Sequence, residues 1–113
     1  MSPRLPAHLE VSALLRRVQD AGGFATVIRK GERDAGTLLV VLVERGRNQR
    51  LFERMPALDG SRQWHCSKEQ DTDNNAEFDE YIARRGDQDR DSWIIELDVA
   101  DGERFIGEMA DKG

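Results

Sequence analysis

The sequence predicts an α/β (α+β) three-layer sandwich, in which a mainly antiparallel five-stranded sheet is covered by helices in the order α-β-β-β-β-α-β-α. Three observations carry that expectation. The run Thr37 to Arg45 is apolar almost without interruption and is closed by Gly46; a strand with one wet face alternates, so this one calls for cover on both faces. The stretches His8 to Ala21 and Asn75 to Arg85 repeat apolar residues at helical spacing and supply two amphipathic covers. At 113 residues the chain has material for one core, and two cores would leave each half too small to stand alone, so residues 1–113 read as a single domain.

The elements follow in order. Met1 to Pro6 contains two prolines and reads as an extended lead-in. Val11, Leu14, Leu15 and Val18 then fall on one helical stripe, with Arg16, Arg17 and Gln19 outward, and Gly22-Gly23 ends the helix. Phe24 to Lys30 is a strand with Phe24, Thr26 and Ile28 on one face and Ala25 and Val27 on the other. The turn formers of Gly31 to Gly36 favour an antiparallel hairpin into the buried run. Arg45 to Gln49 turns the chain into a third strand, Arg50 to Pro56, which alternates and should have one wet face, and Pro56 stops its ladder. After Asp59-Gly60-Ser61, Arg62 to Ser67 completes a meander of four strands, with Trp64 and Cys66 sharing a side.

Lys68 to Asn75 is polar and delivers the second helix, where Asn74 and Glu77 have the spacing of a capping box. Phe78, Tyr81 and Ile82 form its apolar stripe, and Gly86 to Asp91 is a charged connector. Trp93 to Leu97 is nearly continuous in apolar residues and reads as an internal strand. After Asp101-Gly102, Phe105, Ile106 and Met109 suit a short closing helix over Glu103 to Met109.

Composition narrows the function. A formal charge of -5 argues against general affinity for nucleic acid, whose binding draws its free energy from cations that release condensed counterions. The charge is uneven: residues 1–68 carry 12 Lys and Arg against 7 Asp and Glu, and residues 69–113 carry 5 against 15. On a folded sheet these segments interleave, so a solvated surface of mixed sign is expected. The single cysteine, Cys66, has no partner for an internal disulfide, and no leader-like segment opens the sequence, which together point to a reducing cytosol. No apolar run approaches the roughly 20 residues that span a bilayer.

No catalytic signature stands out. The helix, meander, helix, strand order matches a restriction-endonuclease-like fold, whose metal-dependent chemistry needs an acid on one strand and an acid two residues before a lysine on the next. Asp34 could serve as the first acid, but Gly46 follows Glu44 and Met55 follows Glu53 where the lysine belongs. His65 and Cys66 are strand neighbours that face opposite sides and cannot chelate one metal together. The acids between Asp71 and Glu80 lack the calcium-loop spacing and read as helix-dipole complementation. Gly31 to Gly36 lacks the Gly-Lys-Ser/Thr ending of a phosphate loop. Arg45, Arg47, Arg50, Arg54 and Arg62 gather around successive strands near Trp64, a set suited to an acidic peptide, a nucleotide or a single strand but more simply read as guarding a wet sheet face against edge pairing.

Pro3-Arg4-Leu5, Leu14-Leu15-Arg16-Arg17, Arg29-Lys30-Gly31, Ala35-Gly36-Thr37-Leu38-Leu39-Val40, Arg50-Leu51-Phe52, Tyr81-Ile82-Ala83-Arg84 and Asp91-Ser92-Trp93-Ile94-Ile95-Glu96 form an ordered set over nearly the whole chain. That set resembles an alphaproteobacterial family known as domain of unknown function 1491. The resemblance implies single-domain proteins of similar length from the bacterial cytosol, with no assigned activity and no site residues to carry over. The expectation is therefore a non-enzymatic binding or accessory module, with no catalytic residue, cofactor or metal. Its partner would be a protein or a small anionic ligand, and a homodimer is compatible with the sequence. The binding surface is placed on Arg29, the Gly31 to Gly36 loop with Asp34, Arg50, Arg54 and Arg84; whether Arg29, Asp34, Arg54 and Arg84 converge on a concave pocket or scatter over convex surface decides that placement.

Overall fold

The computed structural model describes residues 6–56, 58–59, 62–70 and 74–109. The expected lead-in Met1 to Pro6 and the turn at Asp59-Gly60-Ser61 lie largely outside them. The order is α1 (Ala7–Asp20), β1 (Phe24–Arg29), β2 (Leu38–Glu44), β3 (Arg47–Pro56), β4 (Arg62–Glu69), α2 (Asn75–Gln88), β5 (Trp93–Asp98) and α3 (Gly102–Met109). All eight elements are those the sequence predicts, in the same order.

The strands form one sheet in the order β1-β5-β2-β3-β4. Every residue of β2 from Leu38 to Val43 is buried, and its two faces lie in two separate cores. Leu38, Val40 and Leu42 pack beneath α1 and α3, together with Leu14, Trp93 and Ile106. Leu39, Val41 and Val43 pack beneath α2, against Phe78 and Ile82. The three-layer arrangement follows from that double burial.

The sheet departs from the expected meander in one respect. β1 does not pair with β2; β5 lies between them, antiparallel to β1 and parallel to β2. The sheet is thus mixed, and the meander is the three strands β2-β3-β4. Turn-forming residues in Gly31 to Gly36 specify a reversal but not its partner. β5, apolar on both faces through Ile95, gains most from an interior place, whereas β1 leaves Phe24 and Ile28 exposed and tolerates the edge.

That inserted strand explains the glycines. The chain must cross the entry of β5 to pass from β1 to β2, and a Cβ added at Gly31 or Gly36 would stand 2.1 Å or 2.3 Å from the Asp91 carbonyl oxygen. The loop is tied down there: the Glu32 amide donates to the Asp91 carbonyl at 2.9 Å, and the Trp93 indole donates to the Glu32 carbonyl at 2.7 Å.

Local boundaries moved where tertiary contacts decided them. β3 starts at Arg47 rather than Arg50, because Arg45 and Gly46, with φ of 52° and 77°, make a two-residue turn whose amides both donate to the Asp98 carboxylate. α2 runs past Arg85 to Gln88 because Gly86 is not a terminator: it is buried, and a Cβ there would sit 2.8 Å from the Arg29 side chain. At its start, Asn74 accepts from the Glu77 amide at 3.0 Å as expected, while the Glu77 carboxylate pairs with Lys68 at 2.7 Å.

The expected wet face of β3 is closed. Leu51 and Phe52 are both buried, one in each core. Arg54 retains 6% side-chain exposure; both terminal nitrogens meet the two carboxylate oxygens of Glu10 on α1, and the guanidinium lies 5.0 Å from the Trp64 ring centre. Removing one partner of such a pair leaves a buried charge alone, so Glu10→Ala should lower stability by about 3 kcal/mol. Glu10→Leu combined with Arg54→Met should recover most of that loss, as read by urea denaturation.

Candidate functional site

The sequence-predicted residues do not gather in one place. Arg50 and Arg54 alternate with Phe52 on the face beneath α1 and α3, and both are engaged: Arg50 pairs with Glu103 of α3 and Arg54 with Glu10. Arg29 belongs to the opposite face. The register shift between Val27 and Arg29 turns its side chain toward α2, where it packs on Gly86 and pairs with Asp87 at 3.1 Å. Arg84 is exposed on α2, two residues from buried Ile82 and hence about 200° around the helix from it.

Gly31, Asp34 and Gly36 lie in a loop whose polar groups are already used. The Glu32 carboxylate accepts the amides of Asp34, at 2.9 Å, and of Ala35. Carbonyls of Arg33 and Asp34 accept the first amides of α1, from His8 and Ala7. The loop therefore caps a helix and bridges a strand, and it has no row of free amides to cradle a phosphate. Asp34 stands 3.8 Å from His8. Glu44 is at the far end of β2, about 20 Å of strand away, and Glu53 is held by Arg85 at 2.6 Å. Among the described residues no group of three or more His, Cys, Asp or Glu is placed to hold a metal ion.

Cys66 packs against the core with Trp64, and burial, followed by the nearby Glu69 carboxylate, pushes its thiol above the ordinary range. A thiol held protonated is a poor nucleophile and a poor metal ligand.

The concavity that does form lies on the α2 side of the sheet. A cleft of about 400 Å³ runs between α2 and strands β1, β5 and β2, with Val41, Phe78, Ile82 and Ile94 at its base. Ile28 and Arg29 from β1, Glu96 from β5, Gln49 from β3, and Asp79 and Ala83 from α2 complete its walls. The cleft exists because α2 covers the β2–β3 half of this face and leaves the β1–β5 half open; there Phe24 is 76% and Ile28 45% exposed. A larger depression of about 720 Å³, at the β2–β3 turn, is lined mostly by polar side chains such as Arg45, Asn48 and Asp101, and the Asp98 carboxylate in it is occupied by turn amides. Its apolar lining residues are Val99 and Ala100, with no large exposed apolar side chain among them, so the cleft beside α2 is the stronger site.

Glu96 is the unusual group in that cleft. It has no cationic partner among the described residues; burial first, then repulsion by Asp98 and Asp79, raise its carboxyl above the ordinary value. Sequence reasoning passed over it, although a single acid inside Trp93-Ile94-Ile95-Glu96-Leu97 was a legible signal. Ile28, Asp79 and Ala83 carried no such signal, since only the placing of α2 brings them to β5.

Comparison with known proteins agrees with this fold over almost the whole chain. The profile of a protein family of unknown function, DUF1491, matches residues 5–107. The chain belongs to the DUF1491 family. A crystal structure of a DUF1491 protein from Caulobacter crescentus is 37% identical, with 90% of this chain and 94% of that one aligned and a TM-score of 0.78. An NMR structure of a DUF1491 protein from the same organism is 36% identical over 92% and 94% of the two chains, with a TM-score of 0.75. The solution structure of protein Atu0922 from A. tumefaciens is 28% identical over 88% and 89%, with a TM-score of 0.69. No curated protein matches the chain. The overall fold is therefore shared with solved relatives, whose names assign no activity.

Two outcomes are expected. Gly31→Ala and Gly36→Ala each drive a Cβ into the Asp91 backbone, and each should lower stability by about 2 kcal/mol or more in thermal or urea unfolding. For Glu96 the sign is set by its raised carboxyl: the folded state holds that proton more tightly than the unfolded chain, so ionisation lowers stability as pH rises through the carboxylate range. Glu96→Gln should therefore be more stable than the parent near pH 7 and indistinguishable from it near pH 3, as read from denaturation midpoints at the two values.

Proposed function

We propose that this DUF1491 protein is a non-enzymatic binding or accessory module whose partner, a protein, sits on the open β1–β5 half of the sheet beside α2. The observation that carries the reading is the cleft itself. Its volume, about 400 Å³, falls in the range of about 300–1,000 Å³ typical of binding sites, and its apolar base continues into the exposed side chains of Ile28 and Phe24. An anionic small ligand at the arginines is the weaker reading, because it would have to displace Glu103 from Arg50, Glu10 from Arg54 and Asp87 from Arg29. Of the residues expected from sequence, Arg29 alone lines the cleft.

A cytosolic setting belongs to the same proposal and is supported by the single cysteine. No helix among the described residues is long and apolar enough to cross a membrane.

Affinity capture from native lysate tests the surface when run with paired variants. Ala83→Trp fills the cleft from an exposed position on α2, and Ile28→Asp puts a charge on its apolar wall; each should reduce recovery of a stoichiometric partner by about tenfold. Arg84→Ala, on the outer side of α2, should leave recovery unchanged. Undiminished recovery with both cleft variants would move the binding surface elsewhere.

A further inference from the structure

We infer that the segment received by this cleft is cationic as well as apolar: a stretch of protein that lays apolar side chains over Ile28 and Phe24 and brings a lysine or arginine to Glu96. The inference rests on the cleft being the partner's site and names what that partner must present.

β1 and β5 build the surface in two rows. Because Phe24 pairs with Asp98 and Thr26 with Glu96 in the antiparallel ladder, each pair points to the same face. The outer row is Phe24 and Thr26, followed past the register shift by Ile28 and by Arg29, which pairs with Ile94; the inner row is Asp98, Glu96 and Ile94. From Ile28 to Phe24 the row extends about 13 Å, an extended strip rather than a point contact. Apolar side chains thus stand at the edge with carboxylates immediately inside them.

Two of the three charged side chains that line the cleft are acids. Glu96 from β5 and Asp79 from α2 line the cleft, whereas Asp98, two residues further along β5, lines the neighbouring depression, where its oxygens accept the Arg45 and Gly46 amides. The cation on the cleft wall, Arg29, is drawn to Asp87 and packed on Gly86. Glu96 is the member that neither a cation nor an amide among the described residues satisfies. A carboxylate set beside Phe78, Ile82 and Ile94 with acids on two sides gains from an incoming ammonium or guanidinium, since partial desolvation strengthens the attraction. A negatively charged segment would meet the Glu96 and Asp79 carboxylates instead. The occupant is a protein segment rather than a small amine because the strip extends past the cleft to Phe24, which is 76% exposed and which a ligand seated at Glu96 would leave in water.

The test uses the full chain, 15N-labelled, titrated with three synthetic peptides of equal length: alternating Leu/Lys, Leu/Gln and Leu/Glu. The Leu/Lys peptide should shift the amides of Thr26, Ile28, Ala83 and Glu96 and bind most tightly. Its affinity should fall roughly fivefold in Glu96→Gln and decline with added salt. Asp79→Asn, a change at an exposed position, provides a second variant that should weaken it in the same direction. Equal binding of the three peptides at these amides, or full Leu/Lys affinity in both variants, would overturn the cationic requirement and leave the site standing. Absence of shifts with every peptide would remove the site together with it. Saturation by butylamine alone, with the same amides shifted, would overturn the protein segment in favour of a small amine.

Discussion

The fold depends on the parallel pairing of β2 with β5. These strands are adjacent at the centre of the sheet and carry apolar side chains upward and downward, so neither can be stable until a layer lies on each side. α1 and α3 supply one layer and α2 the other. A parallel pair also requires a crossover between its strands. Here the route from β2 to β5 passes through β3, β4 and α2, and α2 becomes the second cover on the way.

β3 fastens those covers. Arg54 joins Glu10 of α1, Arg50 joins Glu103 of α3, and Glu53 joins Arg85 of α2, so each helix is linked to the same strand by one arginine–carboxylate pair. For Glu53, burial alone would raise the carboxyl, but the Ser67 hydroxyl and Arg85 outweigh it and the net direction is downward. The arginines that looked in sequence like a basic recognition surface are thus largely spent on holding layers together. In the region the helices leave uncovered, β1 exposes apolar groups and β5 places an acid with no cationic partner among the described residues.

That place is not optimised for stability. A neutral side chain at Glu96 would remove repulsion from Asp79 and Asp98, and a polar one at Phe24 or Ile28 would suit an edge strand in water. The other edge, β4, is guarded by charges such as Lys68 and Glu69. β1 has none between Phe24 and Ile28. The two edges thus differ in the charge they carry.

The sequence by itself determined the eight elements, their order and the double cover of β2, because periodicity and glycine placement act over a few residues and read directly as helix, strand or turn. It also exposed Asn74 as a cap and the family resemblance as a whole. Only the tertiary structure decided that β5 enters between β1 and β2, that α2 passes through Gly86, and that Arg29 faces away from Arg50 and Arg54. Those outcomes rest on contacts between residues tens of positions apart, such as Gly31 on Asp91, Gly86 on Arg29 and Arg54 on Glu10. Strand partners compete for the interior by burying area on both faces, and an arginine's sequence neighbours do not reveal which carboxylate will meet it across the sheet.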